Sequence, residues 1–304
     1  VAISDTFLQE LHARVDIGEL VSAYVNLRRR GNTQIGLCPF HNEKTPSFTV
    51  YSDHFYCFGC GAGGDSITFL RRIENLDYVE AVKSLAQRAG MPMPEDGFDD
   101  TLMRRRSEVL SANRAAAHFF HAQLQGTAAM QYLLDRGLTA KTIERFGLGY
   151  APDSWQDLMD HLRGKGFSEQ LLLEANLARK SEKNGRSNVY DNFRGRIMFP
   201  IIDLRGNVVA FGGRVMGDAK PKYINTSDTL VYKKSQGVFA LNFAKNDNES
   251  KLIVAEGYMD VIALHQAGFR NAVACLGTAL TKEQANLISR YAGEVILAYD
   301  ADDA

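Results

Sequence analysis

The sequence has 304 residues, 45% of them hydrophobic, which is enough for two domains with ordinary packed cores. Its 35 Lys and Arg stand against 36 Asp and Glu, a formal net charge of −1, so any nucleic-acid surface must be a local concentration of cations. No run is apolar enough to span a bilayer, and Val1-Ala2-Ile3-Ser4-Asp5 lacks the basic start and apolar core of a secretion signal, so a cytoplasmic protein is expected.

Phe7, Leu8, Leu11, Val15 and Ile17 recur near helical spacing, which predicts a helix over 5–21 with Ser4 or Asp5 at its start. From 34 to 58 short alternating runs, Ser47-Phe48-Thr49-Val50 and His54-Phe55-Tyr56, are broken by Pro and Gly and read as short antiparallel strands. Ile67, Phe69, Leu70, Ile73, Val79, Val82 and Leu85 predict helix over 65–89, stopped by Gly90-Met91-Pro92-Met93-Pro94. The acidic stretch 95–100, with Gly97, reads as the first domain boundary. A long helix is expected over about 101–124, and a mixed, loop-rich region over 132–244. From 251 the pattern becomes regular: strand 252–255, helix 259–267, strand 272–276, helix 282–291, strand 295–299. Such alternation predicts a parallel sheet with right-handed crossovers.

Two residue pairs carry metal chemistry. Cys38-Pro39-Phe40-His41 and Cys57-Phe58-Gly59-Cys60 each separate two ligand types by two residues, so both members can reach one ion from a tight turn. Zinc favours four sulfur and nitrogen ligands; with Cys38, His41, Cys57 and Cys60 filling all positions, one structural zinc is expected. His54 lies outside the pair spacing and reads as a surface strand residue, and Cys275, in an apolar strand, as a small core residue.

The terminal segment carries a second constellation. Glu256 follows an apolar strand, Asp300 and Asp302 follow another, and Asp260 lies one helical turn beyond Glu256. In an open parallel sheet these acids would share the carboxyl-end rim, where magnesium could neutralise them. Strand ends also carry acids simply because loops are solvated. Between the two constellations lies a basic stretch with Arg194, Arg196, Arg205, Arg214, Lys220, Lys222, Lys233 and Lys234, interleaved with Tyr190, Tyr223 and Tyr232, which could stack on bases. Spacing alone fits a solvated cationic face equally well. Arg28-Arg29-Arg30 is a smaller basic candidate, and Arg71-Arg72 reads as the exposed side of a helix.

Taken in order, these motifs resemble the bacterial DnaG-type primases over essentially the whole chain. The segments 38–48 and 56–65 look like that family's zinc-binding domain. Phe193-Arg194-Gly195-Arg196-Ile197-Met198-Phe199-Pro200-Ile201, Gly212-Gly213-Arg214 and Pro221-Lys222-Tyr223-Ile224-Asn225 are similar to its polymerase N-terminal subdomain. Glu256-Gly257-Tyr258-Met259-Asp260-Val261 and Tyr299-Asp300-Ala301-Asp302 resemble its Toprim acidic motifs, with Leu276-Gly277-Thr278-Ala279-Leu280-Thr281 between them; Ala301 stands where the family often has Gly. The resemblance implies an α+β zinc-ribbon domain over 1–97, a linker region over 98–110, and a mixed α/β polymerase core. In that core an N-terminal subdomain covers 111–248 and an incomplete parallel-sheet Toprim subdomain covers 249–304.

It further implies RNA primer synthesis on single-stranded DNA from ribonucleoside triphosphates. Glu256, Asp260, Asp300 and Asp302 would be catalytic, with Glu256, Asp300 and Asp302 binding Mg2+ or Mn2+. Arg136, Arg194, Arg196, Arg214, Lys222, Asn225 and Lys234 would contact template or nucleotide. Phe48, Phe55 and Phe58 are candidates for stacking on template, and each fits the small ribbon's own core at least as well. The family's further acidic motif, its remaining Toprim strands, its helical subdomain and its helicase-binding domain are not found, so the chain is expected to be an N-terminal fragment, weak or inactive alone. Rival readings are a non-catalytic single-stranded-DNA-binding module and a Toprim nuclease or topoisomerase.

Overall fold

The computed structural model describes residues 3–74, 76, 78–93, 100–183, 186–217, 219–245, 251–276 and 280–299. The chain divides into two units, Val1–Asp100 and Thr101–Ala304. Residues 94–99, which hold most of the expected boundary stretch 95–100 and the start of the expected linker 98–110, the motif residues Gly277-Thr278-Ala279, and Asp300 to Ala304 lie outside the described residues.

In the first unit, the side chain of Ser4 accepts from the amide of Phe7 and starts helix α1 (Asp5–Arg14). The single helix expected over 5–21 is two, because Asp16 caps a new one, α2 (Ile17–Ser22), by accepting from the amide of Glu19 at 2.9 Å. Five short strands follow: β1 (Arg28–Arg30), β2 (Thr33–Gly36), β3 (Phe48–Val50), β4 (Phe55–Cys57) and β5 (Gly63–Gly64). They form one antiparallel sheet in sequence order. The helix expected over 65–89 is also two, α3 (Ser66–Ile73) and α4 (Tyr78–Arg88). Asp65 caps α3 by accepting from the amide of Thr68 at 2.7 Å. Past the end of α3, Glu74 is held by Arg88 at 2.9 Å and by the hydroxyl of Tyr24.

The sheet packs on the helices through phenylalanines. The rings of Phe48 and Phe55 stack at 5.2 Å, and Phe69 stands edge-on to Phe55 at 5.5 Å. Phe48 and Phe55 have no exposed surface, which corrects their candidacy as base-stacking residues: strand pairing turns both onto the helix side of the sheet. Phe58, one residue beyond β4, is 68% exposed.

In the second unit, helix α5 (Asp100–Ala122) begins inside the stretch expected as a linker, 98–110. Arg105 on it bonds Glu108 at 3.0 Å and Glu174 at 2.6 Å. Helices α6 (Ala128–Asp135) and α7 (Ala140–Arg145) lead to β6 (Gly149–Ala151). Next come α8 (Asp157–Gly164), α9 (Glu169–Glu174) and the hairpin of β7 (Ala178–Lys183) with β8 (Arg186–Asp191). Gln156, the residue before α8, makes no side-chain cap; the buried carboxylate of Asp191 accepts instead from Leu158 and Met159 amides at 2.9 and 3.0 Å.

Strands β9 (Arg196–Ile202), β10 (Val208–Val215) and β11 (Tyr223–Asn225) join β6 in an antiparallel sheet of order β11-β10-β9-β6. The last sheet has β12 (Val238–Phe239), then α10 (Leu241–Ala244), β13 (Lys251–Ala255), α11 (Tyr258–Gln266), β14 (Ala272–Cys275), α12 (Lys282–Ile288) and β15 (Glu294–Ala298). Its order is β12-β14-β13-β15. Strands β13, β14 and β15 run parallel as expected, while β12 adds an antiparallel edge that the alternating pattern did not announce. One apolar core, including Ile197, Phe199 and Ile201 of β9 and Val261 and Ile262 of α11, ties the two sheets together. Cys275 is buried in β14, where burial pushes its thiol up to about 11. Tyr232 is buried in the same core, which corrects its candidacy for stacking on bases.

The approach of α5 to β6 depends on Gly149, where a Cβ would stand 2.6 Å from the carbonyl carbon of Phe120 and 2.8 Å from the amide nitrogen of His121. Backbone cannot give way as a side chain can. Gly149→Ala is expected to destabilise the second unit by about 1–3 kcal/mol in a denaturant melt, with the first unit's transition unchanged; an unshifted midpoint for the second unit would contradict this packing.

Candidate metal centre and cationic cavities

The two ligand pairs converge. One ligand atom from each of Cys38, His41, Cys57 and Cys60 lies within 4.8 Å of every other. Four tetrahedral ligands with zinc–sulfur bonds of about 2.3 Å place sulfurs about 3.8 Å apart. The sulfurs of Cys38 and Cys60 are 3.9 Å apart, and Nδ1 of His41 is 3.7 Å from the sulfur of Cys57, so the donor set fits that ion. Two glycines make room: a Cβ on Gly59 would lie 2.7 Å from Nε2 of His41, and Gly61 has φ +71°, a conformation that favours glycine.

Glu43, within the motif but without a role assigned from the sequence, organises this turn. Its Oε1 accepts from the amides of Cys38 at 2.7 Å and Ser47 at 3.0 Å, and its Oε2 accepts from the Ser47 hydroxyl and lies 3.4 Å from Nε2 of His41. Burial works against the charged carboxylate, but the hydrogen bonds from Ser47 and Cys38 outweigh it and hold the group below the usual carboxylate value. With Nε2 turned to Glu43, His41 presents Nδ1 to the cluster. His54 lies outside the cluster, paired with Asp53 at 2.7 Å and stacked on Tyr51.

In the second unit, Glu256 leaves β13 and Asp260 stands in the first turn of α11. Strand β15 is the parallel neighbour of β13, with Ala255 opposite Ala298, so Glu256 and Tyr299 leave adjacent strands at one edge. The Tyr299 phenol is raised by burial, then by the charges of Cys275 and Glu256. Asp300 and Asp302 lie outside the described residues. Both described acids offer the hard oxygen ligands that magnesium takes.

The basic residues separate into groups. Arg136, Arg214 and Lys222, with Lys220, line a cavity of about 390 Å³ with no acidic residue among its described lining. Arg214 is buried; its guanidinium lies over the rings of Tyr132 at 5.5 Å and Tyr223 at 5.6 Å, and its Nε has no hydrogen-bond partner among the described residues. Arg136 lies over Tyr132 at 5.3 Å. The Tyr223 phenol is raised by burial, lowered by Arg214 and raised by Asp260, so a cation of the cavity and an acid of α11 both act on one ring.

Arg194 and Arg196 line a second cavity, of about 310 Å³, with Tyr190, Arg179 and one acid, Asp153. The Arg194 guanidinium donates to the carbonyl of Asp191 and lies 4.1 Å from the ring of Trp155 and 5.0 Å from that of Tyr190. Trp155, 61% exposed, is a residue the sequence reading passed over; its only signal was being the sole tryptophan. Arg196 is buried and donates to the carbonyls of Gly213, Pro221 and Lys222 at 3.4, 3.0 and 3.4 Å, bracing the segment that carries Lys222. Burial, then the charge of Arg194, lowers its pKa. Asn225 gives its side-chain oxygen to the hydroxyl of Tyr258 at 2.9 Å. Lys234 lines neither cavity: it sits in a 3-10 turn (Lys234–Gln236) whose carbonyls bind Gln284 and Thr281 on the α12 side. Among the described residues, no helix is long and apolar enough to cross a membrane.

A Cys/His knuckle on a small antiparallel sheet, followed by a catalytic core ending in an acid-edged α/β sheet, defines a class of zinc-ribbon proteins with a Toprim domain. Family models agree: a CHC2 zinc finger matches residues 3–100, the N-terminal domain of the DNA primase catalytic core matches 119–245, and a Toprim domain matches 250–304. The chain is 45% identical to the DNA primase of Clostridium acetobutylicum over 99% of its own length and 51% of that protein's, and 46% identical to that of Deinococcus radiodurans over 94% and 50%. A crystal structure of the Aquifex aeolicus primase zinc-binding and RNA polymerase domains is 38% identical, with a TM-score of 0.60, and covers 98% of this chain and 73% of that one. A structure of the DnaG primase catalytic domain bound to single-stranded DNA is 40% identical with a TM-score of 0.59, covering 66% and 63%. The chain belongs to the bacterial DnaG-type DNA primase family. It spans about half the length of the curated relatives it matches.

Glu43→Gln keeps the shape of the knuckle but loses its charge. In a chelator competition it is expected to lower zinc affinity about 10–100-fold; an affinity equal to the parent's would show that Glu43 does not organise the ligands. Cys57→Ser is expected to melt the first unit and leave the thermal transition of the second in place.

Proposed function

We propose that this chain carries part of the machinery for RNA primer synthesis on single-stranded DNA, by nucleotidyl transfer from ribonucleoside triphosphates. The observation that carries this reading is a cationic cavity, free of acids among its described lining, whose Arg214 lies over Tyr223, which in turn packs at 6.0 Å on Tyr258, the residue between Glu256 and Asp260 in sequence. The primer 3′-hydroxyl attacks the α-phosphorus of the nucleotide, a new P–O bond forms, and the bond to pyrophosphate breaks. Arg136, Arg214 and Lys222 hold the triphosphate; buried between two rings, Arg214 keeps one orientation and faces little competition from water. Glu256, Asp300 and Asp302 are the residues that would hold Mg2+ or Mn2+, with Asp260 supporting them. Bound there, the ion would neutralise phosphate charge and lower the pKa of the attacking hydroxyl.

The template is proposed to run past the second cavity, one base stacking on Trp155 while Arg194 and Arg179 meet its phosphates. The zinc ribbon engages the same strand through Phe58 and the exposed row Arg28–Arg30. Zinc on Cys38, His41, Cys57 and Cys60 is structural in this reading, since no ligand position is left open.

The test is ribonucleotide incorporation on a single-stranded template by the full-length gene product with magnesium. Glu256→Gln is expected to lose orders of magnitude in rate with little change in DNA affinity; near-parental synthesis would remove it from the metal site. Trp155→Ala should weaken single-strand binding by about 1–3 kcal/mol. Arg194→Ala should reduce the salt slope of log affinity by about 0.7. Binding unchanged by both substitutions would move the template elsewhere.

A further inference from the structure

Tyr258 connects the two halves of the proposed site. It stands between Glu256 and Asp260 in sequence and is buried, although it opens a helix at the rim of a sheet. Its ring lies across one row of the neighbouring sheet. In that row Phe199 of β9, Gly212 of β10 and Asn225 of β11 are direct cross-strand partners. The Tyr258 ring stacks on Phe199 at 4.9 Å with planes 16° apart. Over Gly212 there is no room for a side chain: a Cβ would lie 2.5 Å from both Cζ and Oη of the tyrosine. At the end of the row the hydroxyl donates to Oδ1 of Asn225 at 2.9 Å. Phe239 closes the ring from the side, edge-on at 4.8 Å.

The next row on the same face of that sheet is Ile197, Arg214 and Tyr223. Residues two apart in a strand are about 7 Å apart. The row that receives Tyr258 is therefore the one beside the row that presents Arg214 to the cavity.

We infer that Tyr258, seated over Gly212 and bonded to Asn225, is a positioning residue that fixes the acids of the α11 edge relative to the cations around Arg214. This rests on the nucleotidyl-transfer reading, in which both groups act on one nucleotide. Charge placed about 1 Å wrong can cost about 10²-fold in such a site. The ring and its glycine notch set how closely α11 approaches the sheet, and the hydroxyl sets where along the row it comes to rest. Asn225 thereby acts through Tyr258, and the glycine at 212 is required by a contact with the neighbouring domain, not by its backbone angles.

The experiment is steady-state ribonucleotide incorporation by the full-length gene product and its Tyr258→Phe, Asn225→Ala and doubly substituted forms, with thermal melts of each. Tyr258→Phe keeps the stacked ring and should fold. The expected result is kcat lowered about tenfold with KM for ribonucleotide within about twofold, since the lost interaction orients groups at the reacting phosphate. Asn225→Ala should give the same split, and the double form should be no worse than the worse single one, because both remove one bond. Gly212→Ala should cost more, by displacing the ring. A Tyr258→Phe form with parental kcat overturns the inference. So does an Asn225→Ala form that raises KM alone, since Asn225 would then be touching nucleotide. A parent protein that incorporates no ribonucleotide overturns the transfer reading, and this inference with it.

Discussion

Opposite charges that must act on one substrate cannot be allowed to satisfy each other first. A carboxylate and a guanidinium within reach form an ion pair, and both are then lost to catalysis. In the second unit the ring of Tyr258, on the helix that carries Asp260, packs against Tyr223, which lies under the Arg214 guanidinium. Arg214 is packed over Tyr132 and Tyr223, and its Nε has no hydrogen-bond partner among the described residues. A buried donor left without an acceptor is costly, and a phosphate oxygen of a bound nucleotide is one acceptor that would relieve it. The β9–β10–β11 sheet presents the cations, the β13–β15 edge presents the acids, and the aromatic row through Phe199 and Tyr258 joins the two sheets into one core.

The first unit solves a different problem. Its sheet has strands of two to four residues, too short to specify a fold by backbone pairing alone. A phenylalanine cluster closes one side, and the Cys/His knuckle closes the end. Glu43 couples the two parts of the knuckle: it ties the Cys38 amide, the Ser47 amide and the His41 ring into one carboxylate, and Ser47 in turn lies 3.3 Å from the sulfur of Cys57. Partners of this kind around metal ligands orient them and raise the affinity of the site.

The zinc ligands were legible in the sequence because each pair is local: two residues of spacing set the geometry whatever the rest of the chain does. The strand–helix alternation after 251 was legible for the same reason, as was the placement of Glu256 at a strand end. What failed was anything decided by a distant partner. Val15 and Ile17 keep the helical period across a break that only the Asp16 cap reveals. Phe48 and Phe55 look like Phe58 in sequence, and only strand pairing shows two inside and one outside. Trp155 gains meaning from Tyr190 and Arg194, which meet it across the fold. Nothing in the sequence around the motif glycine at 212 announces the tyrosine ring that fills the space above it. Asp300 and Asp302 remain as the family resemblance assigns them.

The central claim is that the acid edge and the cationic cavity act on one nucleotide. The most direct measurement is calorimetric titration of a ribonucleoside triphosphate into the full-length gene product and its Glu256→Gln form, each with and without magnesium. The account predicts that magnesium tightens binding to the parent, that Glu256→Gln loses this increment, and that affinity without magnesium is the same in both. An increment of equal size in the two proteins would contradict it, because the nucleotide held by the cavity would then be out of reach of the edge that Glu256 marks.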